Sequence, residues 1–200
     1  MKLRILGGMY KNKSIKMRKS TLIKPTLVRA RKVVFDIIMT RLPSGFSFLD
    51  CFAGSGIMGI EALSRGSQKT IFFDIDALTL KQIKENLISM KKITGYFSTI
   101  KTKVFQAPPG SPVDCVFLDP PYEKYYIITD VLNYLIRKNW INKNTMVIIE
   151  SFHKNNIIVP GNLTMFKETL ISQSKIQFFE YPDETDDTDE TDDTDEDIEI

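Results

Sequence analysis

Asp50-Cys51-Phe52-Ala53-Gly54-Ser55-Gly56-Ile57-Met58-Gly59 is the stretch that decides the fold. It closes an apolar run over 46–51 and opens a helical one over 57–65. Between them Gly54, Gly56 and Gly59 form a G-x-G-x-x-G set, where backbone without Cβ atoms turns tightly and approaches a ligand closely. Asp74 stands twenty residues beyond Gly54, at the end of the next strand, 69–74, and an acid there reaches ribose hydroxyls. The pairing points to a nucleoside-type cofactor, with Asp50, Phe52, Ala53, Gly54, Gly56, Gly59, Asp74 and Ile75 as its candidate contacts. A dinucleotide would set its pyrophosphate on the helix N-terminus. S-adenosylmethionine has no phosphate and carries a cationic end, which Asp50 suits better; on these residues alone either cofactor stays open.

Working outward, strands and helices alternate. After Pro43-Ser44-Gly45 come strand 46–51, helix 57–65, strand 69–74 and a helix over 78–90 with Ile83, Leu87 and Met90 on its buried stripe. A weaker strand is expected near 100–105 and a strong one over 113–118, then a helix near 126–137 and a strand over 145–150. Such alternation predicts an α/β, Rossmann-like fold: a mostly parallel sheet with helices on both faces. The stretches 163–170 and 175–181 have no helix between them and predict a closing antiparallel hairpin. Upstream, residues 3–17 alternate weakly around Gly7-Gly8 and read as a short β-hairpin or extended arm. Leu27, Ala30, Val34, Ile37 and Ile38 then recur at helical spacing up to about Thr40. The organisation read from this is a basic extension at 1–42, a catalytic domain at 43–182 and a disordered acidic tail at 183–200.

The second motif is Asp119-Pro120-Pro121-Tyr122, directly after the strand over 113–118. Asp-Pro-Pro-Tyr after the fourth strand resembles the signature of amino-group methyltransferases acting on adenine, cytosine or guanine, which implies attack by an exocyclic base amine, a poor nucleophile because its lone pair is delocalised into the ring. The Asp119 carboxylate and Pro120 carbonyl are acceptors for its two protons, and paired prolines hold those acceptors in place. Tyr122 offers a ring to stack on a base removed from its helix. That resemblance decides for S-adenosylmethionine. Tyr125, Tyr126 and His153 fall near the same region and are assigned no role.

Charge points to the substrate. Twelve of the 25 acids lie in 183–200, leaving 13 acids against 27 basic residues in 1–182, an excess of 14. The first 41 residues hold twelve Lys and Arg and one acid, Asp36. A body this basic suits a phosphate backbone, and Arg4, Lys11, Lys13, Lys24, Arg29 and Arg31 are its candidate contacts. The tail repeats Asp-Glu-Thr-Asp-Asp-Thr at 183–188 and 189–194; it reads as solubilising, or as a competitor of nucleic acid for the basic face. Cys51 and Cys115 form no metal or redox pattern and there is one histidine, so no metal is expected. No apolar run approaches the roughly 18 residues of a membrane span, and residues 1–8 lack a sustained apolar stretch, so a signal peptide is not expected. A cytoplasmic monomer is expected.

Arg4-Ile5-Leu6-Gly7-Gly8-Met9-Tyr10-Lys11, Lys24-Pro25-Thr26 with Arg29 and Arg31, the Asp50–Gly59 loop and Gly59-Ile60-Glu61-Ala62-Leu63-Ser64-Arg65-Gly66 together resemble the bacterial small-subunit ribosomal RNA guanine-N2 methyltransferases. The resemblance covers roughly 1–181. It implies methylation of one guanine at its N2 amine in 16S rRNA, on the small ribosomal subunit or an assembly intermediate, with the basic N-terminal segment engaging RNA. The chain departs from the pattern at Lys24, Val28 and Lys32, at Lys101-Thr102 where an acid or Asn commonly meets the adenine, and in its acidic tail. Three alternatives remain at this point. A DNA adenine or cytosine amino-methyltransferase shares Asp119–Tyr122 but would normally carry a sizeable target-recognition region. An RNA-binding or assembly factor would keep the fold without turnover. An NAD-dependent dehydrogenase leaves the proline motif unexplained.

Overall fold

The computed structural model describes residues 3–17, 26–91 and 93–182; of Thr26, Leu27 and Tyr122 only the backbone is described. Lys24 and the acidic repeat therefore lie outside the described residues, as does the side chain on which the stacking role of Tyr122 depends. In chain order the elements are β1 (Leu3–Arg4), β2 (Ser14–Ile15), α1 (Thr26–Arg41), β3 (Ser47–Asp50), α2 (Ile57–Ser64), β4 (Lys69–Asp74), α3 (Ala77–Ile88), β5 (Tyr96–Lys101), β6 (Cys115–Leu118), α4 (Ile128–Arg137), β7 (Met146–Phe152), β8 (Thr164–Ile171) and β9 (Ser174–Glu180). The large sheet has the order β5-β4-β3-β6-β7-β9-β8. Its first five strands are parallel, and β9 pairs antiparallel with both β7 and β8. The expected parallel sheet with its closing hairpin is what forms.

Side chains of a strand point alternately to the two faces of a sheet, and the core follows that alternation. Phe48, Phe72, Phe117, Ile148 and Phe178 pack on one face with residues of α1, α2 and α3. Leu49, Ile71, Phe73, Val116 and Val147 pack on the other with α4 and Trp140. Burial on both faces is why the parallel strands read as unbroken apolar runs. Cys51 and Cys115 are free thiols inside this core, and burial raises both well above the ordinary thiol range. No helix among the described residues is long and apolar enough to cross a membrane.

Two element positions differ from the sequence reading. The weak strand expected near 100–105 is β5 at Tyr96–Lys101, and Val104–Gln106 turn as a 3-10 helix instead. Val104 is apolar and buried, but it packs beneath α4 rather than in the sheet. The helix expected from Tyr126 begins at Ile128, because Tyr122–Ile127 form a separate 3-10 turn broken at Lys124.

The N-terminal segment is docked, and what docks it is α2. The buried Glu61 carboxylate accepts the N–H groups of Leu6 (2.8 Å) and Gly7 (2.7 Å). Met9 N–H donates to the Ser64 carbonyl at 2.7 Å, and Ser64 Oγ donates to the Gly7 carbonyl at 2.6 Å. The approach is so close that a Cβ on Gly8, whose φ is +73°, would lie 1.8 Å from the Ser64 oxygen, so only glycine serves there. On the side towards α3, Asn86 exchanges two hydrogen bonds with the backbone of Lys16. Leu3, Ile5 and Ile15 consequently share one apolar cluster with Phe48 and Phe72.

Arg31 corrects an expectation. The sequence makes it a candidate RNA contact, yet it is 1% exposed. Its guanidinium donates to the Arg4 carbonyl at 2.6 Å and lies 3.4 Å from Glu61. Burial pulls its pKa below the ordinary arginine value, with Glu61 opposing that shift. A cation so enclosed presents nothing to a phosphate; it ties α1 to α2.

Candidate active site at the carboxyl edge of the sheet

After β3 the chain crosses through α2 to β4 on one side, while β6 lies on the other. Segments leaving the carboxyl ends of β3 and β6 therefore diverge, and a crevice at such a reversal of strand order is where open α/β sheets bind ligands. The register Asp50↔Phe117, extended by Cys51 N–H to the Phe117 carbonyl at 3.0 Å, sets the glycine loop beside Leu118–Pro121. Both motifs singled out from sequence thus leave neighbouring strands at the same edge of the sheet.

The loop is held by its own backbone. Ala53 N–H donates to the Phe73 carbonyl at 2.9 Å and Gly56 N–H to the Ala53 carbonyl at 2.6 Å. Gly56, with φ +74°, starts α2, and a Cβ there would lie 2.6 Å from Ile83 of α3. A Cβ at Gly59 would lie 2.2 Å from the Phe72 ring, so α2 seats directly on β4. Gly54 differs: an added Cβ meets nothing nearer than the Phe52 oxygen at 3.8 Å. Its outer side is open.

Two carboxylates frame that opening. Asp74, half-buried at the end of β4, accepts Gly54 N–H at 2.9 Å on one oxygen and Asp76 N–H at 2.8 Å on the other. Each carboxylate oxygen has a further lone pair for a ligand hydroxyl. Asp50 is 1% exposed and accepts a long 3.4 Å bond from Gly59 N–H. Among the described residues no Lys or Arg pairs with it. Desolvation, with a smaller push from Asp74, raises its pKa to about 7 against the bonds from Gly59 and Phe52. A buried carboxyl held near neutrality favours a cation beside it. Ile75, next to Asp74, is exposed and offers an apolar surface at the same edge.

Across the crevice, Asp119 is half-buried, Pro120 buried and Pro121 exposed. The Pro121 carbonyl accepts Lys124 N–H at 2.7 Å, which fixes the turn beyond the motif. Lys101 pairs in register with Asp74 at the ends of β5 and β4 and is exposed. Of the remaining basic candidates, Arg4, Lys11 and Arg29 are exposed, whereas Lys13 donates to the Ser89 carbonyl at 2.9 Å. Glu61 was missed as an organising residue. Its signal was a single acid between Ile60 and Ala62 in a helix whose eight residues are all buried.

Comparison with known proteins gives the family. The family model described as conserved hypothetical protein 95 matches residues 3–180. The chain belongs to this family. Among its relatives is the ribosomal RNA small subunit methyltransferase D of Buchnera aphidicola subsp. Acyrthosiphon pisum, 32% identical over 184 residues, 90% of this chain and 93% of that one. The Escherichia coli K12 protein of the same name is 27% identical over 179 residues, 89% of each chain. A solved putative methyltransferase from Escherichia coli superposes with a TM-score of 0.78 at 26% identity, covering 90% of this chain and 98% of its own. Family and fold are those of a methyltransferase.

Proposed function

We propose that the protein transfers a methyl group from S-adenosylmethionine to the N2 amine of a guanine in the 16S rRNA of the small ribosomal subunit or an assembly intermediate. The observation that carries this reading is the register of β3 and β6, from whose carboxyl ends the glycine loop and Asp119–Pro121 both leave. The residues present fit the cofactor. Asp50 is a buried carboxyl with no Lys or Arg paired to it among the described residues, Asp74 has acceptor capacity for two ribose hydroxyls, and Ile75 supplies an apolar face for a purine ring. When bound, S-adenosylmethionine supplies an electrophilic methyl group on a positively charged sulfur.

The chain's own work is positioning. Asp119 and the Pro120 carbonyl accept the two amine protons, which orients the nitrogen and localises its lone pair. Pro120 and Pro121 fix that backbone, so the acceptors are in place before the base arrives. In this reading Arg4, Lys11, Lys13, Lys24 and Arg29 engage phosphates, and Arg31 is excluded by its burial. RNA as the substrate is supported by the names of the relatives and by the excess of 14 positive charges in 1–182, where 27 basic residues face 13 acids.

The test is transfer of labelled methyl to small subunits lacking the modification, with duplex DNA in parallel and nucleoside analysis of the product. N2-methylguanosine is expected from the subunits alone. Product on DNA would replace the reading with the DNA alternative. Cofactor binding without transfer to either would replace it with an RNA-binding factor. Asp119→Ala should lower kcat at least about 100-fold and leave cofactor affinity within about threefold.

A further inference from the structure

We propose that Tyr126, with Tyr125 beside it, forms a stacking platform for an unpaired base flanking the target nucleotide. The inference rests on the RNA reading above and adds a residue pair that neither the glycine loop nor the Asp-Pro-Pro-Tyr motif includes.

A single exposed tyrosine is ordinary on a protein surface. Here two consecutive ones are exposed, Tyr125 at 36% and Tyr126 at 67%, on the turn that follows Pro121 at the carboxyl edge of β6. Their ring centroids are 6.3 Å apart with planes at 76°. A perpendicular pair leaves ring faces open that a parallel stack would hide.

The turn that bears them is fixed at both ends. Lys124 N–H donates to the Pro121 carbonyl at 2.7 Å, and Ile128 N–H donates to the Tyr125 carbonyl. Ile128 is fully buried, and Thr129 Oγ1 donates to the Ile158 carbonyl in the segment after β7. The rings therefore stand on an anchored backbone close to the proposed amine acceptors. A base fits this surface better than an apolar partner does. Lys124 is exposed between Pro121 and the tyrosines, and residues 1–182 carry the cationic excess already described. Aromatic faces beside cationic side chains are how proteins hold splayed-out RNA bases.

The experiment compares the natural chain with Tyr126→Ala, Tyr126→Phe and Tyr125→Ala. KM and kcat are measured on unmodified small subunits, together with the affinity for S-adenosylhomocysteine. In parallel, quenching of 2-aminopurine in a short single-stranded RNA is followed on titration with each protein, which needs no turnover. Tyr126→Ala should raise KM about tenfold or more, with kcat and cofactor affinity within about twofold and 2-aminopurine quenching lost. Tyr126→Phe should restore both KM and quenching, since stacking needs the ring and not the hydroxyl. Quenching equal in the natural and Ala proteins overturns the platform, whether or not methyl transfer is seen. So does a Phe variant as poor as Ala. A natural chain that quenches normally but never methylates would instead remove the catalytic reading and leave the platform standing.

Discussion

Asp50 and Glu61 are both buried carboxylates, eleven residues apart on either side of the glycine loop, and they are treated oppositely by the chain. Glu61 is enclosed by two backbone N–H donors, Arg65 at 2.9 Å and Arg31 at 3.4 Å. Asp50 has a long bond from Gly59, a second backbone donor at Phe52 and no cation among the described residues. Burial alone therefore separates nothing. What separates a structural acid from a binding one is whether the fold itself supplies the counter-charge. Glu61 is answered within the molecule and joins the N-terminal segment, α1 and α2. On the proposed function, Asp50 is left for the cation of the cofactor.

The largest effect is expected on removing the answered charge. Glu61→Ala leaves Arg31 buried without its partner, and breaking one side of a buried pair costs about 3–5 kcal/mol. Chemical denaturation should show that loss, and a change under about 1 kcal/mol would erase the distinction drawn here. Asp50→Asn should behave the other way. With an uncompensated buried charge removed, stability above about pH 7 should hold or rise, while S-adenosylhomocysteine affinity by calorimetry falls on the order of 100-fold, as for a lost charge-assisted contact. Equal losses of stability in both variants would mean that Asp50 too is structural.

How much of this was legible in the sequence follows the same division. Asp50, the glycines, Asp74 and Asp119–Tyr122 could be placed because each stands at a strand end, and strand ends are marked by the change from unbroken apolar runs to turn residues. The mostly parallel sheet followed from the alternation of strands and helices, and the hairpin from two strands with no helix between them. Arg31 was misread because charge counting cannot distinguish a guanidinium facing solvent from one enclosed by α1, α2 and the Arg4 carbonyl. Its partner lies thirty residues away, a distance no periodicity reports. β5 was displaced because Ser98 and Thr99 dilute its apolar pattern, while Val104 and Phe105 imitate one. Tyr125 and Tyr126 carried no distinguishing signal, since a 3-10 turn has too short a period to declare its exposed side.

Titration sharpens the comparison further. Asp50 sits near pH 7 folded against 3.8 unfolded, so its contribution to stability is present in full below the lower value and is lost as pH rises through the upper one. Binding a cation requires the ionised form, so cofactor affinity should move in the opposite sense and climb as pH rises through about 7. Roughly tenfold weaker binding is expected near pH 6 than near pH 8. The cofactor's own amino group also titrates at the alkaline end, and Asp50→Asn carries that contribution alone. The difference between the two profiles belongs to Asp50, and parallel profiles would remove it from the binding site.

Asp74 is the intermediate case and should give the smallest effect. It is half-buried, and both its oxygens already accept backbone N–H groups, from Gly54 and Asp76. Solvent weakens whatever it adds to a ligand, so Asp74→Ala should reduce cofactor affinity only about threefold to tenfold. Removing Asp74 also removes its smaller push on Asp50, so the midpoint of the affinity profile should move slightly to lower pH in the variant. A 2′-deoxyribose analogue of S-adenosylhomocysteine should lose affinity for the natural chain and much less for the variant, as expected if the missing hydroxyl was the group Asp74 accepted. If the analogue is penalised equally in both, Asp74 acts by holding Gly54 in place rather than by touching the ribose, and it belongs with Glu61.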